Sequence, residues 1–411
     1  MSKRIAIVGG GIIGLCSAYY LQKSGHEVHV YDTYDFDDSC SYGNAGMIVP
    51  SHMIPLAATG MISKGLKWMF QSSSPFYIQP QMNYSFLRWL YLFYKSSSHA
   101  HLNQSIPLLT EMSLKSKGLW QEIAKELDLN IEQKGILLLY KSEAAAEEEF
   151  HNAKIALDLG LENKILSKEE LNALENVNID ALGAVHYKCD AHITPKRAMK
   201  ALKNYLRNNG VQMHSNSKVD RIEGLSGNRV EVCSNFTADY FDELVIASGS
   251  WSHQLAKMLD LKLPLLPGKG YSLTIPLTQN QTTIPSILCE AKVAMTPFEN
   301  EFRVAGTMEL GALNNNVNPK RVEGIINSIN QYYPNFDIDP LKVENTWTGL
   351  RPCSPDGMPY VGTHPKSPNV KIATGHAMMG LSLAPATGLY ISEMINGERK
   401  SIPKLEPNRF S

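Results

Sequence analysis

The stretch from Arg4 to Asp32 constrains this chain more than any other. Ile5, Ala6, Ile7 and Val8 form a short continuous apolar run. A run with no polar face reads as a parallel strand buried on both sides. Gly9-x-Gly11-x-x-Gly14 follows, then LCSAYYLQKSG with helical periodicity, then HEVHVYD, a second strand ending at Asp32. This is the full βαβ context of a dinucleotide site, which a lone glycine pattern lacks. Gly9 permits the tight turn, Gly11 lets the backbone approach a pyrophosphate, and Gly14 allows close helix packing. The helix start, with Ile12 and Ile13, offers N–H groups and partial positive charge to phosphates. Asp32 stands 18 residues after Gly14, placed to hold a ribose hydroxyl pair, and its charge repels a 2′-phosphate. The fingerprint serves FAD and NAD alike.

Bulk properties exclude several other classes. A chain of 411 residues exceeds one small core, so one large or two intertwined domains are expected. With 39 basic and 40 acidic residues there is no general attraction to nucleic acid. Cys16, Cys40, Cys189, Cys233, Cys289 and Cys353 are scattered with no CxxC pair. That fits reduced thiols in a cytoplasmic protein and suggests no metal site. The strand begins almost at Met1, leaving no room for a signal peptide. No apolar run is long enough for a transmembrane helix.

Farther along, MISKGLKWMF, SFLRWLYLFYKSS and LTEMSLKSKGLWQEIAKEL read as helices, and GILLLY as a buried strand. EAAAEEEFHNAKIALDLG is a helix with an acidic start and a glycine end, and TPKRAMKALKNYLRNNG an amphipathic one. VQMHSNSKVDRIEGLSGNRVEVCSN reads as short strands, and DELVIASGSWS as a buried strand reaching Gly249. From about residue 263 the texture turns β-rich, with a turn at Glu299-Asn300 and a helix in VEGIINSINQYYP. VKIATGHAMMGLSLAPATGLYISEMING then returns to strand, glycine turn and helix. The nucleotide-binding elements are thus split between the two ends, with a mainly antiparallel sheet between them.

Gly9–Gly14, SYGNAGMIVPS, VIASGSWS, PGKGYSLTIP, WTGLRPCSPDGMPYVG and TGHAMMGLSLAPATG occur in that order. Together they resemble the FAD-dependent D-amino acid oxidase superfamily. Within it the likeness is greatest to the small subunit of bacterial D-amino acid dehydrogenases, with glycine oxidase next. It runs from residue 3 to residue 398. The resemblance implies an α/β fold, a Rossmann-type FAD domain interleaved with an α+β substrate domain on a mainly antiparallel sheet. The expected bounds are 1–80, 150–262 and 346–411 for the FAD-binding domain, and 81–149 with 263–345 for the substrate-binding domain.

The resemblance also assigns residues. Ser39, Asn44, Ala45, Gly46 and Met47 match the loop along the flavin. Val219, Ala247, Ser248 and Gly249 match contacts to the adenine half. Gly375, His376, Gly380, Leu381 and Ser382 match the turn that aims N–H groups at the flavin's pyrimidine edge. His376 remains open as a plain loop residue, and Met378 and Met379 read as core. Arg351 falls where relatives place a carboxylate-binding arginine, whose planar fork matches a carboxylate. A salt bridge to Asp356 or a solvated loop charge are its other readings. Tyr271 is a second candidate for the carboxylate, or a sheet tyrosine packing its ring in the core. His52 is a candidate base near the substrate amine. Cys353 lies two residues before Pro355, closer than in the motif that attaches flavin covalently, so non-covalent FAD is expected.

The implied activity is oxidative deamination of a small amino acid, with hydride passing from substrate Cα to flavin N5. A D-amino acid dehydrogenase feeding a quinone or another acceptor leads, since no lysine can be assigned to oxygen activation. Alternatives are a glycine- or sarcosine-type oxidase, a D-proline or hydroxy-D-proline dehydrogenase, and a flavoprotein subunit for electron relay or assembly. FLRWLYLFYKSS is either a docking face on the inner side of a membrane or a helix packed on the substrate domain, the second being favoured.

Overall fold

The computed structural model describes residues 1–57, 76–175, 177–225, 229–277, 281–311, 313–336 and 346–411. The segment MISKGLKWMF lies outside them.

The apolar run Ile5–Val8 sits at the centre of the first of two main sheets. Its six strands run Gln212–His214, Glu27–Tyr31, Arg4–Val8, Glu243–Ile246, Val370–Thr374 and Tyr360–Thr363. The first five are parallel and the last pairs antiparallel. Ile5, Ala6 and Ile7 are fully buried, as a central parallel strand covered on both faces requires. The helices Ile12–Lys23 and Gly380–Ile395 cover one face and share one core with it. They cross almost backbone to backbone. A methyl group on Gly388 would lie 2.5 Å from the Cys16 carbonyl carbon and oxygen. The helix that closes the chain therefore clamps the helix that opens it.

The second sheet has nine strands. Its centre is the antiparallel row Trp347–Cys353, Leu266–Pro276, Glu301–Leu310 and Val293–Pro297. Ser286–Leu288, Ile136–Tyr140, Gly183–Tyr187 and Asn163–Ser167 extend it, and Phe76–Ile78 pairs beside Glu301–Leu310. Its pairs are mostly antiparallel, as expected. Strands from 163–187 and 347–353 thus join this sheet, although the expected bounds grouped those residues with the nucleotide part. Long-range pairing, which sequence order does not reveal, decides their membership.

The expected helices appear at Glu143–Asp158, Pro195–Asn208 and Pro319–Tyr332. Ser142 caps the first by accepting from Ala145 N–H. The helix His99–Leu127 is longer than the apolar pattern marks and continues through Pro107. The helix Tyr84–Ser96 buries Phe86 and Trp89 against the second sheet, and Trp89 Nε1 donates to the Cys353 carbonyl.

Candidate functional site

One cavity of about 1130 Å³ runs from the glycine turn to the second sheet. Pockets for single small molecules usually span ~300–1,000 Å³, so this one is large enough for a dinucleotide and a small substrate together.

At the nucleotide end, Gly9 adopts φ +117°, and a methyl group there would meet the Ala247 carbonyl oxygen at 2.5 Å. A methyl on Gly14 would lie 1.9 Å from Gly9 O, so Gly14 serves helix packing and lies off the cavity wall. Gly11 faces open space, with Ser41 Oγ the nearest atom to an added methyl at 3.4 Å. The helix that follows has no acidic residue in its first turn and no side-chain cap at Gly11. Of its free amides, Ile12 N–H donates to Ser41 Oγ. Its positive end therefore opens onto the cavity beside Ile12 and Ile13. Asp32 accepts from Gly10 N–H at 2.6 Å and Tyr34 N–H at 3.1 Å. Burial pushes its carboxyl upward, against the pull of these amides. Val219, Ala247, Ser248 and Gly249 complete this end.

Ser39, Asn44, Ala45 and Met47 line the next stretch of wall. Buried Arg303 fastens this loop to the second sheet by donating to the carbonyls of Tyr42 and Asn44. Gly46 is turned away from the wall. Its φ is +76°, and an added methyl would strike the Ile193 carbonyl at 2.4 Å, where Ile193 N–H donates to Gly46 O. Gly375 and Ser382 also lie off the wall. Gly375 packs on Tyr360, and Ser382 Oγ accepts from Val49 N–H. His376, Gly380 and Leu381 do line the cavity. The His376 ring is buried and donor or acceptor to Thr387 through Nε2, while its Nδ1 has no partner among the described residues. Burial lowers its pKa to about 3, so the ring is neutral. Met379 is partly buried and joins the expected core, whereas Met378 is half exposed because its turn carries it outward.

The open glycine backbone, the uncapped helix end, Asp32 and the orphaned His376 nitrogen fit a dinucleotide with polar groups along its whole length. The residues present therefore suit FAD.

Arg351 defines the other end. Its strand faces Leu266–Pro276, and Gly270 makes room for the guanidinium, since a methyl there would lie 2.1 Å from Nη1. Nη1 donates to the Thr307 carbonyl at 2.7 Å. Among the described residues Arg351 has no ion-pair partner. Asp356 is not available to it. Both Asp356 oxygens accept from Arg409, each at 2.8 Å. The reading of Arg351 as a partner of Asp356 is thereby corrected. Burial works against its positive charge, and Arg351 lines the cavity. Trp347 lies along the same strand face, over Gly349 and Gly43. Cys353 is fully buried beside Gly268, and burial pushes its thiol up to about 12, as a packing residue requires.

Tyr271 touches the cavity, but its ring is in the core of the second sheet and its hydroxyl donates to Glu309 Oε2 at 3.1 Å. His52 lines the cavity on the loop after Val49. Burial, with the nearby Lys292 charge, lowers its pKa to about 4. Ser51, Glu149, Asn152 and Lys292 share this arm of the cavity. Ser51 ends the SYGNAGMIVPS motif, while no local pattern marks Glu149, Asn152 or Lys292. Trp347 had a signal, the small residues Gly43 and Gly349 that its indole covers.

Comparison with known proteins bears on the family and the fold. The model of the family "FAD dependent oxidoreductase" (DAO) matches residues 4–394. Over 412 residues, 97% of each chain, the sequence is 30% identical to a D-amino acid dehydrogenase of Chromohalobacter salexigens. The fold is like that of glycine oxidase from Geobacillus kaustophilus, with TM-score 0.80, 21% identity and 99% of both chains covered. It is also like that of L-proline dehydrogenase from P. horikoshii, with TM-score 0.75, 18% identity and 100% and 98% of the chains covered.

Proposed function

The chain belongs to the DAO family of FAD-dependent oxidoreductases, and from that membership we propose that it oxidises the carbon–nitrogen bond of a small amino acid, most simply as a D-amino acid dehydrogenase. One observation carries the reading. Arg351 is a partly buried cation without a carboxylate partner among the described residues, facing the cavity that begins at the dinucleotide cradle. A fixed planar cation without an anion is a carboxylate site, and every amino acid brings that group.

FAD, held without a covalent bond, supplies the electron sink for the hydride released from the carbon next to nitrogen. The protein's part is orientation and electrostatics. Arg351 holds the substrate carboxylate in two parallel hydrogen bonds, and the Thr307 carbonyl holds Arg351. Apolar Met47, Val49, Ala294 and Ala305 are part of the cavity wall. The amine reaches the cavity uncharged or loses its proton to solvent there. The imine produced hydrolyses to a keto acid and ammonia.

Anaerobic mixing with a panel of D-amino acids tests this. Flavin colour should bleach with at least one of them, and bleaching with none overturns the reading. Turnover with an artificial acceptor but little hydrogen peroxide in air would mark a dehydrogenase feeding a quinone or similar carrier. Strong peroxide release would mark the oxidase alternative instead.

The helix Tyr84–Ser96 bears on the acceptor. Tyr84, Leu87, Tyr91 and Tyr94 are exposed along one face, while Phe86 and Trp89 are buried. Such a stripe suits peripheral contact with a bilayer that holds the acceptor. Among the described residues no helix is long and apolar enough to cross a membrane. Flotation with anionic vesicles checks this, and Tyr91→Glu with Tyr94→Glu should abolish any binding.

A further inference from the structure

We propose that His52, held by Ser51 and Asp190, accepts a hydrogen bond from a donor group on the substrate's side chain, so that the enzyme favours amino acids bearing a side-chain hydroxyl. This rests on the amino acid reading above.

The three residues form a chain of contacts. Ser51 donates twice to Asp190, from Oγ to Oδ2 at 2.5 Å and from N–H to Oδ1 at 3.0 Å. Ser51 Oγ also lies 3.3 Å from His52 Nδ1. A hydroxyl has one proton. With that proton on Asp190, Ser51 Oγ accepts, and His52 Nδ1 must be the donor. The imidazole is thereby set in one tautomer, with a bare lone pair on Nε2. His52 lines the cavity, and Nε2 has no protein partner among the described residues and is not an occluded atom. Asp190 is completely buried and is tied to the site through Ser51.

The placement of His52 decides what it can touch. The Lys292 charge acts on its ring, and Lys292 stands next to the strand Val293–Pro297. From the Arg351 strand that strand is three steps across the sheet, in the order Trp347–Cys353, Leu266–Pro276, Glu301–Leu310, Val293–Pro297. Three steps span roughly 14 Å between backbones. Inward-reaching side chains shorten that distance, but an α-amine is fixed only two bonds from its carboxylate carbon. A substrate anchored at Arg351 and extended along the same cavity wall presents its side chain toward His52. The wall between is apolar, with Ile287, Ala294 and Ala305. The imidazole is also too weak a base to strip a proton from an ammonium group, because burial lowers its pKa to about 4. It remains a neutral acceptor, and a substrate hydroxyl satisfies it.

Matched pairs test this: D-alanine against D-serine, and D-proline against cis-4-hydroxy-D-proline. The wild-type enzyme should show a higher kcat/KM for the hydroxyl member of at least one pair. In Ser51→Ala, Asp190→Asn and His52→Phe that ratio should fall roughly ten-fold or more, the worth of a hydrogen bond left unmade. Ser51→Thr, which keeps the hydroxyl, should restore most of it. A second measurement needs no turnover. Nitrogen-15 histidine spectra, with His52 identified by its loss in His52→Phe, should show protonated Nδ1 in the wild type and mixed tautomers in Ser51→Ala. No hydroxyl preference, or equal losses for both members of each pair, overturns the inference and leaves the amino acid reading standing. If no amino acid bleaches the flavin, the reading beneath it fails instead.

Discussion

At the scale of single residues, Arg351 changes most on passing from sequence to structure. Its neighbour Asp356 was a reasonable anion for it, five positions away. The chain instead brings Arg409 back from the C-terminus to take both Asp356 oxygens. That pair is 53 residues apart in sequence, so no local pattern announces it. Arg351→Lys should keep bound FAD yet raise KM for the carboxylate-bearing substrate by one or more orders of magnitude, since an ammonium point charge cannot reproduce the fork. Steady-state kinetics alongside the flavin spectrum check both halves. Arg409→Met should behave oppositely. It leaves Asp356 as an unpaired buried charge, which costs about 3–5 kcal/mol of stability, read as a lower denaturation midpoint with little change in KM. Asp190 gives a pH prediction. Burial raises its pKa to about 6, against hydrogen bonds from Ser51 and Cys189 and the charge of Lys117 on the helix His99–Leu127. Above that pH the carboxylate is ionised and takes the Ser51 proton. Below it, the protonated acid turns donor and the Ser51 hydroxyl is free to point at His52, which itself faces Lys292. Any hydroxyl preference should be full at neutral pH and fade as pH falls through about 6, and Asp190→Asn should flatten that profile.

Among elements, what the sequence makes legible is what depends on local chemistry. The first βαβ unit was readable because glycine sterics, an apolar strand and a terminal acid lie within 29 residues, and each now has its neighbour: Gly9 on Ala247, Gly14 on Gly9, Asp32 on Gly10. The turn-and-helix at 374–388 was readable for the same reason. Sheet membership was not. Asn163–Ser167 and Gly183–Tyr187 carry no pattern that marks them, and only the pairing of the first with the second, and of the second with Ile136–Tyr140, shows which sheet they enter. Nor was the Ser51–Asp190 link, which spans 139 residues. The crossing of the first and last helices belongs to this scale as well. Gly388 was quoted as part of a motif, and its reason is steric, since Cys16 backbone atoms occupy the space a side chain would need. Gly388→Val should force the helices apart at a cost of at least about 1–3 kcal/mol, the usual range for overpacking. Thermal melts check the stability, and flavin content should fall with it, because the same two helices present the nucleotide turn and the residues around Leu381 to the cavity.

For the whole molecule, the cavity is the joint between the two sheets. We propose that the domain division follows those sheets, with the nucleotide part built on the parallel one and the substrate part on the antiparallel one. The cavity wall takes residues from Val8 to Leu381, drawn from both. Direct ties cross the joint, among them Arg303 holding the Tyr42 and Asn44 carbonyls and Ser250 Oγ donating to the Leu350 carbonyl. A ligand that fills such a joint binds the folded state and has no site on the unfolded chain. Its contribution then follows mass action, about 2.7 kcal/mol at a free concentration of 100 Kd. Removing FAD should therefore lower the melting temperature, and adding it back should raise that temperature progressively with concentration. The loss of order should also be local. Amide exchange should quicken at residues 9–14 and 39–49, where the glycine turn and the loop after Asp38 line the cavity, and stay slow in the strand Glu301–Leu310, whose amides are paired within the sheet. Uniform quickening across both sheets would mean that FAD is needed for the whole fold, and that the joint and the cores unfold as one unit.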